Sequence, residues 1–242
     1  MTNILLEVCV EDAAGLTAAV EGGADRIELC SALSVGGLTP SPGLMSMAAK
    51  RDIPVYAMIR PRPGDFVFHA DDISVMCAEI DAVRAAGLAG VVLGVSGRDG
   101  GLDVATLRLL VEHAAGLGLT LHRAFDLVPD FAEAVEIAVD LGFERILTSG
   151  GAKRALEGVD ALASIITAAD GRISIMPGSG VTLDTIDALL SRLAVGEVHS
   201  SCSIDQPAHD PRLVSLGFVA PNAKRTDAGV VRKLKARLTA TP

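Results

Sequence analysis

Tryptophan is absent, and one tyrosine with six phenylalanines makes aromatics only 3% of the 242 residues. An interior must therefore be filled by Ala, Val, Leu and Ile. The four cysteines, Cys9, Cys30, Cys77 and Cys202, form no CxxC pair. Thiols so dispersed are read as free rather than as a disulfide framework, consistent with an expected cytoplasmic location. Mean hydropathy is +0.43, yet no apolar run approaches the ~20 residues that span a bilayer, so no membrane partner is expected. Met1–Glu11 reads as an acidic strand without a basic n-region and is not expected to be a signal peptide. Cations are outnumbered, 21 against 30, for a net charge of −9. That excludes nucleic acid, which demands clustered Lys and Arg. The basic group Arg232-Lys233-Lys235-Arg237 reads as a solvated helix face.

What the chain does have is rhythm. Apolar, β-rich runs alternate with helical patterns every 25 to 30 residues, the pattern of repeated βα units and a parallel sheet. Strands are predicted at Ile4–Val10, Arg26–Cys30, Val55–Arg60, Gly90–Gly94, Leu119–Arg123, Arg145–Ser149, Ile173–Pro177 and Glu197–Ser201. Helical stretches fall at 12–22, 72–86, 105–116, 131–141, 154–168 and 183–193, with a last helix at 227–238. Eight strands and a length near ~250 residues point to the α/β class and a single (β/α)8 TIM barrel over residues 1–242. An open doubly wound sheet is the alternative, weakened because no Gly-x-Gly-x-x-Gly follows the first strand. Residues 203–226 read as an irregular segment. It is expected to cross the rim or pack on a partner subunit, and the chain is expected to form a homo-oligomer, in the simplest case a homodimer.

Charged residues are out of place in buried parallel strands, so the exceptions are informative. Glu7, Glu28, Arg60, His122, Arg123, Thr148, Ser149 and His199 all fall toward strand C-termini, where barrel active sites sit. Arg62 follows in a long loop. Gly178-Ser179-Gly180 after strand seven, with Ser200 and Ser201 ending strand eight, read as a phosphate cradle whose amides open a helix. Guanidinium forks suit carboxylate or phosphate, so a small anionic ligand is expected. A competing reading makes the charged ring an ion-pair plug of the barrel interior. His122 and Arg123, being neighbours, cannot both face the lumen unless the strand end bends.

Several segments taken together resemble the CutC family of copper homeostasis proteins. They are Leu6-Glu7-Val8-Cys9, the run 23–30 (GADRIELC), the run 36–41 (GGLTPS), Ile59-Arg60-Pro61-Arg62, Gly64-Asp65-Phe66, His122-Arg123-Ala124-Phe125-Asp126, Leu147-Thr148-Ser149-Gly150 and the run 197–201 (EVHSS). The resemblance implies a (β/α)8 barrel and a role in copper homeostasis, with copper ion as a partner. Pro207, His209 and Asp210 match no family pattern. Cu(I) favours thiolate and thioether ligands, which makes Cys30, at the end of strand two, the expected metal ligand. Beyond Cu(I) the residues specify no cofactor. The catalytic alternative is a lyase or isomerase acting on a phosphorylated or carboxylated metabolite. There Glu28 or Glu7 is the base, His122 or His199 the acid, and Arg60 and Arg123 the anion clamp. A non-catalytic metabolite sensor would use the same cradle.

Overall fold

Parallel strands covered on both faces need apolar residues in near-continuous runs, and the eight predicted runs become eight parallel strands. The structure is a computed structural model and describes residues 4–206 and 210–239. Pro207 and His209 lie outside the described residues. The chain alternates β1 (Leu5–Val10), α1 (Ala13–Gly22), β2 (Arg26–Leu29), α2 (Pro42–Ala48), β3 (Val55–Met58), α3 (Ala70–Ala86), β4 (Gly90–Leu93), α4 (Val104–His113) and β5 (Gly118–Leu121). It continues with α5 (Phe131–Asp140), β6 (Arg145–Thr148), α6 (Val159–Ala169), β7 (Ser174–Pro177), α7 (Ile186–Leu190) and β8 (Glu197–Ser200). Last come β9 (Ser203–Asp205), α8 (Pro211–Ser215), β10 (Lys224–Thr226) and α9 (Ala228–Thr239). The strands pair in the order β7-β6-β5-β4-β3-β2-β1-β8, all parallel, which is a barrel nearly closed at the β7–β8 seam.

Side chains at alternate strand positions face opposite sides of the wall. Leu6, Val8, Val10, Ile27, Leu29, Val91 and Ile146 point outward into the main core beneath the helices. The inward set is largely polar. Arg26 bridges the carboxylates of Glu7 and Glu197. Arg145 reaches Glu197 at 3.4 Å and Glu144 at 2.9 Å. Tyr56 lies between the guanidinium groups of Arg26 and Arg145, 5.5 and 4.8 Å from its ring centroid. Its hydroxyl donates to Glu144 at 2.9 Å. The phenol fits only because β5 opens with glycine: a Cβ on Gly118 would stand 2.2 Å from Tyr56 Oη. The ion-pair plug is thus real, and it occupies the N-terminal end of the barrel.

Caps set several helix starts. Asp12 accepts from the Gly15 amide at 2.6 Å, Asp103 from Thr106 at 3.0 Å and Asp130 from Ala132 at 2.9 Å. Such side chains satisfy amides that the helix itself leaves unpaired. Other boundaries differ from the sequence reading. The 183–193 helix shrinks to the five residues of α7, because Thr185 turns its hydroxyl onto the Gly180 carbonyl at 2.8 Å and accepts from the Thr182 amide. Side-chain bonding of this kind competes with the helical ladder. The helix expected from Arg154 begins at Val159, after a turn. The described parts of the 203–226 segment, 203–206 and 210–226, are also more ordered than expected. They form an antiparallel β9–β10 hairpin carrying α8, with Thr226 paired to Ser203. Among the described residues no helix is long and apolar enough to cross a membrane.

Candidate functional site

At the C-terminal end of the barrel the inward positions line a pocket of about 260 Å³. Its walls include Cys9, Glu28, Met58, Arg60, Phe66, His122, Arg123, Ser179, His199 and Ser201. A larger groove of about 700 Å³ opens beside it under the β9–β10 hairpin, sharing Leu33 and Ser201. The buried titratable groups belong to the smaller pocket, so the chemistry is sought there.

Glu7 and Glu28 are both buried but are shifted in opposite directions. His199 Nδ1 donates to Glu7 Oε1 at 2.8 Å, and Arg26 holds the other oxygen. Although burial opposes its ionisation, these partners together draw the Glu7 carboxyl down to about 2. Glu28 lacks such support. Burial pushes its carboxyl up, and the Glu7 charge adds to that, against a lowering by His199. Its Oε2 accepts from the Cys30 thiol at 3.4 Å and lies 3.8 Å from His199 Nε2, while Oε1 has no protein partner. His199, despite its burial, is raised well above the usual imidazole range by the negative groups around it, Cys9 first, and by its bond to Glu7.

His122 is held the other way. The β5 strand ends at Leu121 and the chain bends into a 3-10 turn at Arg123–Leu127, so His122 and Arg123 both reach the pocket. His122 Nδ1 accepts from the Ala124 amide at 3.2 Å, which leaves Nε2 as an N–H donor without a partner. Burial lowers this imidazole to about 3, so it is neutral near pH 7. Phe66 covers it at 4.8 Å between ring centroids. Glycine at position 94 makes room, because a Cβ there would sit 2.5 Å from His122 Nδ1.

Arg60 ties the two long loops together. Its guanidinium donates to the carbonyls of Val35, Gly37 and Gly64 at 2.8–3.1 Å and lies over the Phe66 ring, while Nε has no partner. Arg123, at the rim, bonds Asp126 at 2.7 Å and Ser149 Oγ at 2.6 Å. Arg62 is turned away to Asp65 and Asp72, at 3.0 and 3.2 Å, and lies outside the lining. The free cationic ring expected from the sequence is therefore mostly spent on loop carbonyls and carboxylates.

The cradle also differs from expectation. Gly178 donates to the Thr148 carbonyl at 3.0 Å, and Gly180 is followed by a turn, with α7 starting only at Ile186. No helix N-terminus stands behind the Gly178–Gly180 amides. Ser179 reaches the pocket, but its hydroxyl donates to the Lys153 carbonyl at 2.8 Å. Thr148 and Ser149 bond Asp126 and build the socket under the His122–Arg123 turn. Ser200 donates to the Val181 carbonyl at 2.7 Å, whereas Ser201 lines the pocket. Cys30 is fully buried beside Tyr56, Met58 and Val92, and burial pushes its thiol well up.

The thiol on the lining is Cys9, which the sequence reading counted only as a free thiol, with Cys30 as the expected ligand. Its signal was available: with Glu7 facing inward, alternation places Cys9 inward too. Donor atoms of Cys9, Glu28 and His199 lie within 4.8 Å of one another. One thiol, one imidazole and one carboxyl do not make the sulfur-rich set that selects Cu(I). Met58, the other sulfur on the lining, packs with Cys30, Tyr56 and Val92.

Fold and site define a TIM-barrel protein with a small pocket at its mouth that gathers buried titratable groups. A model of the CutC family matches residues 4–204, and the chain belongs to that family. A CutC family protein of Rhizobium meliloti (strain 1021) is 68% identical over 240 residues, 99% of this chain and 98% of that one. One of Caulobacter vibrioides (strain NA1000 / CB15N) is 56% identical, covering 97% of each. The crystal structure of CutC from Streptococcus agalactiae, named for copper homeostasis, superposes with a TM-score of 0.78. It is 32% identical and covers 82% of this chain and 98% of that one.

Proposed function

We propose that the mouth binds a small anionic metabolite and performs acid–base chemistry on it, in the manner of a lyase or isomerase. One observation carries this reading. Three buried side-chain atoms without protein partners, Glu28 Oε1, His122 Nε2 and Arg60 Nε, belong to residues lining one pocket. Unpaired buried polar atoms are costly, and a ligand carrying oxygen atoms would satisfy all three. Glu28, whose protonated form burial favours, is the group that gives and retrieves a proton. His122 is a neutral N–H donor, suited to polarise a carbonyl rather than to act as a base. Arg60 and the rim residue Arg123 orient the anionic group. Transport or storage of copper at this mouth is the second reading. The convergence of Cys9, Glu28 and His199 favours it, and the single thiol places it second.

A thermal-shift panel of small carboxylates, sugar phosphates and Cu(I) held in a competing chelator tests both. At about 100 times its Kd a specific ligand stabilises by roughly 2.7 kcal/mol, or about 5–10 °C for a chain of this size. The shift is expected with an anion, to be lost in Arg60→Ala and His122→Gln, and to persist in Arg62→Ala. Cu(I) withdrawn from the chelator at one equivalent per chain, with no anion shifting the melting, overturns the first reading for the second.

A further inference from the structure

Acid–base chemistry at Glu28 leaves one arrangement in the pocket unused. Cys9, the penultimate residue of β1, lines the mouth and is 7% exposed. Its sulfur lies within 4.8 Å of a His199 ring nitrogen, His199 Nδ1 donates to Glu7 at 2.8 Å, and Glu7 is in turn fixed by Arg26. Thiol, imidazole and orienting carboxylate stand in the order that activates a cysteine nucleophile. The other thiols lack this setting. Cys30 bonds Glu28 away from the lining, burial lifts Cys202 to about 11, and Cys77 lies outside the barrel on α3.

We propose that Cys9, His199 and Glu7 form a nucleophilic triad at the barrel mouth that cleaves an activated acyl group, an ester or thioester, whose carbonyl enters the pocket. This deepens the reading of the mouth as a ligand site, and it does not depend on the ligand's charge. The raised imidazole of His199 holds the proton of the Cys9–His199 pair, and the sulfur adds to the carbonyl carbon as the thiolate. The protonated imidazole then delivers that proton to the departing alcohol or thiol as the acyl–heteroatom bond breaks, leaving a thioester on Cys9. Water, the co-reactant, attacks that thioester and gives a proton to His199. The carbon–sulfur bond breaks, the sulfur returns as thiolate beside the protonated His199, and a carboxylic acid leaves. Glu28 Oε2 already accepts from Cys30, which leaves the partnerless Oε1 as the O–H that meets the developing oxyanion. Glu7 is a positioning residue, holding the imidazole in the right orientation.

The probe is p-nitrophenyl acetate, an uncharged ester. The wild-type chain is expected to release a burst of one nitrophenolate per chain and to carry the acetyl group on Cys9, located by peptide mass spectrometry. Cys9→Ser abolishes the burst, and Cys77→Ala leaves it intact. His199→Asn slows acylation of Cys9 about 100-fold, the scale of a lost general base. Glu7→Gln, the second variant, slows it less and keeps Cys9 as the acylated residue. Circular dichroism confirms that each variant is folded. Acetylation on Cys77 or on lysine instead, or a Cys9 rate indifferent to both His199→Asn and Glu7→Gln, overturns the triad. Because the ester is neutral, a missing anion shift leaves the burst unaffected, and a missing burst leaves the anion shift unaffected.

Discussion

Replacing each buried glutamate of the barrel by glutamine should have opposite consequences, because their surroundings shift the two carboxyls in opposite directions. Glu7 is drawn from 4.5 down to about 2 by His199 and Arg26. At 1.36 kcal/mol per unit, ionised Glu7 contributes on the order of 3 kcal/mol near pH 7. A carboxyl lowered on folding gives stability that is complete above its unfolded value and fades as pH falls toward the folded one. Glu7→Gln should therefore lose about 3 kcal/mol at pH 7 and progressively less between pH 4.5 and pH 2. Glu28, raised by burial, is shifted toward the un-ionised form, which glutamine copies. Its replacement should cost less than about 1 kcal/mol near neutrality. A carboxyl raised on folding loses stability as pH climbs above its unfolded value, so Glu28→Gln should gain on the wild type with rising pH. Urea unfolding of the three proteins from pH 3 to pH 8 measures both trends. Equal losses at pH 7, or a Glu7→Gln deficit unchanged down to pH 3, would refute the assignment.

Two further outcomes can be checked in the same way. His122 is lowered from 6.5 to about 3, so the unfolded chain binds a proton that the folded chain refuses, and the wild type loses stability from pH 6.5 downward. His122→Gln should flatten that limb, and an unchanged slope between pH 7 and pH 4 would contradict the neutral imidazole. Gly118→Ala places a methyl 2.2 Å from Tyr56 Oη and should cost about 1–3 kcal/mol through overpacking. Tyr56→Ala in the same chain should recover part of that loss, and strict additivity of the two would mean that the ring and the glycine do not meet.

The barrel was legible because parallel strands buried on both faces are written as apolar runs between helical stretches. Glu7, Glu28, Arg60, His122 and His199 stood out for the complementary reason, as polar residues in those runs. What could not be read was partnership. Arg26, Arg145 and Glu197 are as polar as the mouth residues. They form the plug because strand stagger sets their height in the barrel, a three-dimensional property. Arg62 and Arg60 are two residues apart, yet Arg60 lines the pocket and Arg62 does not, since Asp65 and Asp72 capture Arg62. The Gly178–Gly180 turn looked like a helix start because the threonines that stop the helix act through side-chain bonds to the backbone. Cys9 was hidden by the habit of treating a free thiol as a small core residue, although alternation from Glu7 already placed it inside.

The central claim is that Glu28, His122 and Arg60 present their unpartnered atoms to one ligand. A crystal structure grown with whichever carboxylate or phosphate compound most raises the melting temperature tests it most directly. The account predicts density in the 260 Å³ mouth, within hydrogen-bonding distance of Glu28 Oε1, His122 Nε2 and Arg60 Nε. Density confined to the groove beneath the β9–β10 hairpin, with those three atoms left without a ligand, would contradict it.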